Sequence, residues 1–303
     1  MIELIATAES VEQGKSLIRI GVDTLYVGED EFGLRLPGSF SREELKELTY
    51  FAHQHHKRIV VAVNALMHND RIEKIVPYLT FLQSIGVDAI TVGDPGVIHL
   101  MKKHAIELPF IYDAQTMVTS ARQVDFWAKR GAIGAVLARE LPFAELQAIR
   151  QQVTVPVEVL VYGATCIQQS KRPLVENYFN FTNQDHVKQP LFISEPKKEE
   201  THYSIYEDCN GTHIFATDDV NLLPQLDKLV AAGLTQWKLD GIFTKGQSFV
   251  DIASLFIEAR QSFIEQRWTV DIQEQLNSRL LALHPAERSV DEGFFLKDPS
   301  DVK

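Results

Sequence analysis

Polar side chains stand directly after short apolar runs in this sequence, at positions where buried strands would end. They are Asn64, Asp94, Asp113, Gln115, Arg139, Glu140, Tyr162 and Asp240, together with Glu9 and Glu29 nearer the N-terminus. An arginine at such a position can pair with a carboxylate through two parallel hydrogen bonds. An acid such as Asp113 can hydrogen-bond a hydroxyl group or orient the arginine. The alternative is that these side chains cap helices or form ion pairs at the rim of the sheet.

A single thiol, Cys166, follows the apolar run that begins at Val157. A catalytic thiolate needs a neighbouring base that lowers its pKa. No Cys-His or Ser-His-Asp arrangement is visible in the sequence, which favours the simpler interpretation of Cys166 as a small buried apolar residue. The histidines at 53, 55 and 56 fall at a predicted helix end without a carboxylate or thiol at ligand spacing, so we predict no metal site there.

The elements that position these residues alternate between β-branched runs and amphipathic helical patterns, which is typical of βα units and a parallel sheet. The predicted strands are Glu3–Ala6, Thr24–Val27, Arg58–Val63, Ala89–Val92, Phe110–Tyr112, Ala135–Ala138, Val157–Val161 and Gln236–Leu239. Eight such units predict an α/β fold, a TIM-type (β/α)8 barrel of regular or irregular form, whose strand ends meet at one mouth. A doubly wound open sheet is the competing fold, but no Gly-x-Gly-x-x-Gly follows the first strand.

The alternation breaks once, between Gly163 and Gly211, where no convincing helical pattern occurs. The second half of this stretch predicts a β-hairpin whose turn contains Asn210-Gly211. We place the insert between the seventh and eighth barrel strands, over the mouth. The predicted organisation is therefore barrel strands 1–7 in residues 1–162, the insert in 163–211, barrel completion and a long helix in 212–268, and a C-terminal helical extension in 269–303.

Composition limits the possible functions. The 303 residues carry a net charge of −11, which argues against the chain gripping nucleic acid alone, because phosphate contacts require clustered Lys and Arg. No apolar run reaches the roughly 18 residues of a membrane span, and the N-terminus lacks a basic signal-peptide region. Two cysteines do not make a disulfide framework, so we expect a cytoplasmic protein.

Several segments in the right order resemble the peptidase U32 (collagenase-like protease) family. The family signature reads roughly Glu-x-Phe-x-His-Gly-Ala-x-Cys followed by Ser-Gly-Arg-Cys. Its matching positions are Glu158, Gly163, Ala164, Cys166, Ser170 and Arg172, and further resemblance lies in 32–35, 63–70, 86–97 and 136–141. The resemblance adds Glu158 and Cys166, with Asp240, as candidate catalytic residues. It also adds Arg35 and Arg172 to the strand-end residues as candidate ligand contacts.

Departures from the family pattern concern its cysteines. Tyr162 stands where the family usually has His, and Pro173 stands where it has the second Cys. Some U32 proteins hold an iron–sulfur cluster on four cysteines, whereas this chain has only Cys166 and Cys209. We therefore expect no iron–sulfur cluster, no metal site and no cofactor held by this chain.

The resemblance also implies a function. Some U32 proteins act in hydroxylating the wobble uridine (U34) of tRNA to 5-hydroxyuridine, a step linked to prephenate, and U32 proteins can work in pairs. A short chain without the cluster cysteines resembles the smaller partner of a longer paralogue, which would supply redox chemistry and tRNA contacts. Prephenate would be a ligand or co-substrate. The alternatives are a peptidase and a non-catalytic barrel subunit.

Overall fold

The computed structural model describes residues 2–114, 117–185 and 190–301, and its central feature is a closed parallel barrel. The barrel strands are β1 (Glu3–Thr7), β2 (Thr24–Val27), β3 (Arg58–Val63), β4 (Ala89–Val92), β5 (Phe110–Tyr112), β6 (Ala132–Val136), β7 (Val157–Ser170) and β11 (Gln236–Leu239). Neighbours run parallel, and β11 pairs with both β7 and β1, which closes the ring. The predicted TIM-type barrel is confirmed.

A helix follows each barrel strand or the insert after it. These helices are α1 (Val11–Ile20), α2 (Arg42–Gln54), α3 (Asn69–Ile85), α4 (Pro95–Lys103), α5 (Ala121–Ala128), α6 (Phe143–Gln152), α8 (Leu226–Ala231) and α9 (Gly246–Ile264). Local sequence sets their ends. Ser41 and Glu44 form a reciprocal capping box at the start of α2, and Gly21 ends α1 in the left-handed conformation that glycine adopts without strain.

Strand residues alternate between two environments. Leu25 and Val27 of β2 pack in the large core between strands and helices, whereas Tyr26 between them lies in a small cluster with Ile5 and Val60. This period of two is the strand geometry that sends successive side chains to opposite faces. Consequently, polar residues in phase with Tyr26 share the barrel interior.

Strand β6 begins and ends earlier than its predicted position of Ala135–Ala138, since it covers Ala132–Val136. Its pairing with β5 starts with Phe110 opposite Ala132. Ala138 lies beyond the strand, and its backbone N–H donates to Val118. The apolar run therefore continues past the strand into the turn that holds Arg139.

The insert is a small antiparallel sheet built on an extension of β7. The added strands are β8 (Leu191–Glu195), β9 (Lys198–Asp208) and β10 (Gly211–Asn221), in the order β7-β10-β9-β8. The predicted hairpin is confirmed by β9 and β10. The expectation of an insert without a helix is wrong, because α7 (Leu174–Thr182) lies within it. This helix packs on the sheet and buries Phe179.

The chain ends with α10 (Val270–Leu283) and a short strand, β12 (Ser289–Asp291), which pairs with β10. This confirms the predicted C-terminal helical extension. Arg288 connects the extension to the insert, since its guanidinium donates to Asp219 at 2.6 and 2.9 Å. The extension therefore braces the insert from the outside of the barrel.

Candidate functional site

A cavity of about 260 Å³ lies where the carboxyl ends of the barrel strands meet the extended part of β7. Polar residues converge on it from seven of the eight barrel strands or the loops that follow them, as expected for the mouth of this fold. The predicted residues that line it are Arg35, Asn64, Asp113, Arg139, Glu140, Glu158, Cys166 and Asp240.

A buried ion pair forms the floor of the cavity. Lys238 Nζ lies 3.6 Å from Glu158 Oε1, and both side chains are less than 10% exposed. Burial raises the pKa of Glu158 and lowers the pKa of Lys238, and each partner's charge opposes the shift of the other. The ammonium also sits 3.3 Å from the ring centre of Tyr26, which faces it. The ion pair thus places one buried carboxyl group and one buried amine at the floor of the cavity.

A second ion pair closes one wall. Arg139 Nη2 donates to Asp240 Oδ2 at 2.9 Å, and Nη1 donates to the carbonyl of Ala164. Burial alone would lower the pKa of Arg139, but Asp240 outweighs it and raises this pKa. The guanidinium is thus a fixed positive group at the mouth. Asp240 itself is held by backbone contacts, since it also accepts from the N–H of Ile242 at 3.2 Å.

A hydrogen-bonded group of neutral and acidic side chains forms the opposite wall. Asn64 Nδ2 donates to Asp113 Oδ2 at 2.7 Å and to the hydroxyl of Tyr26 at 3.1 Å. Its Oδ1 accepts from the backbone N–H of Leu34 at 2.9 Å. Because each polar atom of this amide has a partner, Asn64 fixes both the loop after β2 and the Asp113 carboxylate.

Arg35 is the cation on that loop. It adopts a left-handed backbone conformation with φ of +53°, which is rare for a residue with a side chain. Its Nη1 donates to the neutral amide of Gln169 on the extended β7, at 2.9 Å. Among the described residues, no carboxylate forms an ion pair with Arg35, in contrast to Arg139 and Lys238. Its charge is therefore available to a ligand, and strain of this kind often marks a functional loop.

Five of the candidate residues lie outside the cavity lining, and a sixth falls outside the described residues. Glu9 accepts from the backbone N–H of Gly246 at 2.7 Å, and Glu29 lies 3.6 Å from the guanidinium of Arg42. Asp94 caps α4, where its carboxylate accepts from the N–H groups of Gly96 and Met67 at 2.7 and 3.1 Å. Tyr162 points towards the helices, and its hydroxyl is 2.8 Å from both Thr244 and His284. Arg172 is exposed on the insert. Gln115 lies outside the described residues.

The sequence-based reasoning missed three side chains, one on the strand paired with β7 and two that line the cavity. Lys238 and Tyr26 line it. Strand alternation could have predicted Lys238, because it stands two positions before Asp240 and therefore lies on the same face of its strand. The third omission is His213 on β10, which lies beside Cys166 and bonds to Asp208. No spacing rule joins residues 166 and 213; only the pairing of β10 with β7 does so.

An iron–sulfur cluster on four thiolates does not fit this chain, because it has two cysteines. In the described ranges, with their gaps at 115–116 and 186–189, no group of three or more His, Cys, Asp or Glu side chains could hold a metal ion. Nor does any helix described here have the length and apolarity that crossing a bilayer requires.

The fold and the site together define a closed βα-barrel protein whose mouth holds a small, strongly ionic cavity. The sequence profile of peptidase family U32 matches residues 9–303, so the chain belongs to the U32 family. The solved structure of a U32 peptidase superposes with a TM-score of 0.51 at 14% identity, covering 79% of this chain and 92% of that one. That likeness concerns the fold alone.

Two relatives come from Bacillus subtilis (strain 168). The chain is similar to tRNA hydroxylation protein P2, with 34% identity over 302 residues that cover 98% of each protein. It is also similar to tRNA hydroxylation protein P1, with 23% identity over 292 residues that cover 91% of this chain and 68% of the relative.

Proposed function

We propose that this protein acts in tRNA hydroxylation, in the formation of 5-hydroxyuridine at the wobble position (U34). The observation that carries the proposal is the similarity to tRNA hydroxylation protein P2 along 98% of both chains. A correspondence over 98% of both chains includes the barrel, the insert and the C-terminal extension. It therefore supports a shared role for the whole molecule and not only a shared fold.

The cavity supports a small anionic ligand, and prephenate is the candidate that we propose. Prephenate carries two carboxylates, and two guanidinium groups lie at the mouth: Arg35 is suited to bidentate pairing, whereas Arg139, bonded to Asp240, contributes its fixed positive charge. Arg35 lacks a carboxylate partner within the described part of the chain, so it is the better anchor. Asp113 and Glu158 would hydrogen-bond the hydroxyl of such a ligand.

We further propose that a longer U32 paralogue is the partner and contacts the tRNA. The P1 relative exceeds this chain in length, because the alignment covers 91% of the chain but 68% of P1. The net charge of −11 opposes strong binding to RNA phosphates by this chain alone. A division of labour between an acidic ligand-binding subunit and an RNA-binding partner accounts for both observations.

Peptidase activity is the alternative that the family name suggests. A polypeptide substrate requires an extended groove, whereas the cavity here measures about 260 Å³, close to the lower limit of small-molecule pockets at roughly 300 Å³. The other alternative, a barrel subunit without its own ligand, would leave the paired and oriented charges of the cavity without a use. Both are distinguished from our proposal by the experiment below.

The test is deletion of the gene in its native strain, with any second hydroxylation route also deleted, followed by mass spectrometry of tRNA nucleosides. We expect 5-hydroxyuridine-derived nucleosides to disappear and to return when the wild-type gene is supplied. Unchanged nucleosides in the double deletion would contradict the proposal. Gelatin cleavage by the purified protein would instead support the peptidase alternative.

A further inference from the structure

The pairing of β10 with β7 brings a buried histidine, itself bonded to a carboxylate, near the thiol of Cys166. Cys166 lies on the extended part of β7 and lines the cavity, where its Sγ is 3.3 Å from the carbonyl of Gln168. His213 lies on the paired strand β10 and is fully buried. Its Nε2 is 2.9 Å from Asp208 Oδ1, at the end of β9.

The arrangement leaves one imidazole nitrogen for the thiol. Because Asp208 holds Nε2, its hydrogen bond fixes the tautomer with the proton on that atom. Among the described residues, His213 Nδ1 has no conventional hydrogen-bond partner although it is buried. A buried imidazole nitrogen without a partner is costly in a structural core, so this atom calls for an explanation. The neighbouring sulfur provides one.

The charges around the three residues favour their ionised forms. Burial raises the pKa of Cys166, but the neighbouring His213 and the charges of Arg35 and Arg139 outweigh it, so this pKa lies below its ordinary value. Burial lowers the pKa of His213, whereas its bonds with Asp208 and Cys166 raise it above the ordinary value. Tyr206 lies near both Cys166 and Asp208, and Asp30 and Cys209 are further ionisable neighbours of Asp208.

We propose that Cys166 is a nucleophile of the cavity, with His213 as its general base and Asp208 as the positioning residue of that base, and that it takes small carboxylates carrying an electrophilic carbon. The thiol proton passes to His213 Nδ1. The sulfur lone pair then forms a C–S bond while the bond to the leaving group, or the π bond of a carbonyl, breaks towards the more electronegative atom. His213 returns its proton to that atom, so no oxidant is needed. Arg35 holds the carboxylate.

This inference does not depend on the role in tRNA hydroxylation. It revises the interpretation of Cys166 as a mere apolar residue, which was favoured because no histidine was visible near it in the sequence. It also gives a use to the partly exposed thiol, which lines the cavity at the edge of the apolar cluster of Ala164, Phe215 and Ile242.

The test uses the two cysteines of the chain as a matched pair. Cys209 is exposed on the turn after β9, and burial of its sulfur together with the charge of Asp208 raises its pKa. The wild-type protein is treated with iodoacetamide from pH 5 to 10, and the modification rate of each thiol is followed by peptide mass spectrometry. We expect the midpoint of the pH profile to lie at least one pH unit lower for Cys166, about a tenfold difference in thiolate fraction at a given pH.

Variants and a second reagent complete the test. His213→Gln should move the Cys166 midpoint upwards and leave that of Cys209 unchanged, with circular dichroism confirming the fold. The second reagent is 3-bromopyruvate, which carries a carboxylate. The ratio of its modification rate to that of iodoacetamide should be at least tenfold higher at Cys166 than at Cys209. Arg35→Ala should remove this preference. Equal midpoints for the two thiols in the wild-type protein, or equal reagent ratios, would overturn the proposal without bearing on the tRNA function.

Discussion

Replacement of Lys238 by Met is the perturbation that best probes the floor of the cavity. The change removes one member of the buried ion pair with Glu158, whose side chains are 5% and 9% exposed. Met fills a similar volume and can still contact the Tyr26 ring, so the loss is mainly one of charge. Glu158 remains buried near a second acid, Asp113, which raises its pKa further.

The magnitude follows from leaving one charge unpaired. Removing a single partner of a buried ion pair costs about 3–5 kcal/mol of unfolding free energy. Glu158 can limit this cost by taking a proton. A carboxyl whose pKa is higher in the folded than in the unfolded state binds more protons when folded, so stability falls as pH rises above the unfolded value of about 4.5. We therefore expect a loss of about 3 kcal/mol at pH 8 and a smaller loss at pH 5.

Urea denaturation monitored by tryptophan fluorescence measures both values. The matched control is the double variant Lys238→Met/Glu158→Gln, in which neither charge remains; it should be more stable than Lys238→Met alone at pH 8. A loss that does not change between pH 5 and pH 8, or a double variant whose losses simply add, would refute the reasoning. Additive losses would mean that Glu158 and Lys238 do not interact.

Three further outcomes are expected. Gly163→Ala should lower the unfolding free energy by more than about 1 kcal/mol, because Gly163 has φ of +123° and an added Cβ would press on the carbonyl of Asp240; an unchanged urea midpoint would contradict this. Arg288→Met should cost about 3 kcal/mol by removing the guanidinium that pairs with buried Asp219, which keeps the imidazole of His284 at 4.0 Å. The loss should shrink on acidification, as urea titrations at two pH values will show. Arg172→Ala should leave both stability and tRNA nucleosides within error of the wild type, because Arg172 is exposed outside the cavity.

Much of the barrel was predictable because each strand carries its own local signal. Strands β2, β3, β5 and β11 begin and end at the predicted residues, since β-branched runs there are bounded by helix caps or turns. The helix α7 was not predictable from its pattern, because the segment from Leu174 is short and has few buried residues. It is stabilised instead by the insert: both carboxylate oxygens of Glu207 on β9 accept from N–H groups of its first turn.

The candidate site was predictable where the strand-end rule applies. Asn64, Asp113, Arg139 and Asp240 all line the cavity, as parallel strands require. The same rule also selected Asp94, which has two backbone N–H partners, because a strand end followed by a helix is equally the place of a capping residue. Sequence position alone does not separate these two roles.

The contact between Cys166 and His213 was beyond the sequence. These residues are far apart in the chain, and they meet because β10 folds back on the extension of β7 with two irregularities in register. A bulge of this kind re-aims side chains near active sites, and nothing in the local pattern of either strand indicates it. This chain has Tyr162 where the family signature has His. Long-range pairing brings His213 to Cys166 instead.

The most direct test of the account is complementation of the deletion strain with cavity variants, read out as 5-hydroxyuridine-derived nucleosides in tRNA. Arg35→Ala and Arg172→Ala form a matched pair, since both remove one arginine but only Arg35 lines the cavity. We predict that Arg172→Ala restores the nucleosides and that Arg35→Ala restores at most a tenth of them while the protein accumulates normally. Full restoration by Arg35→Ala would contradict a ligand role for the cavity.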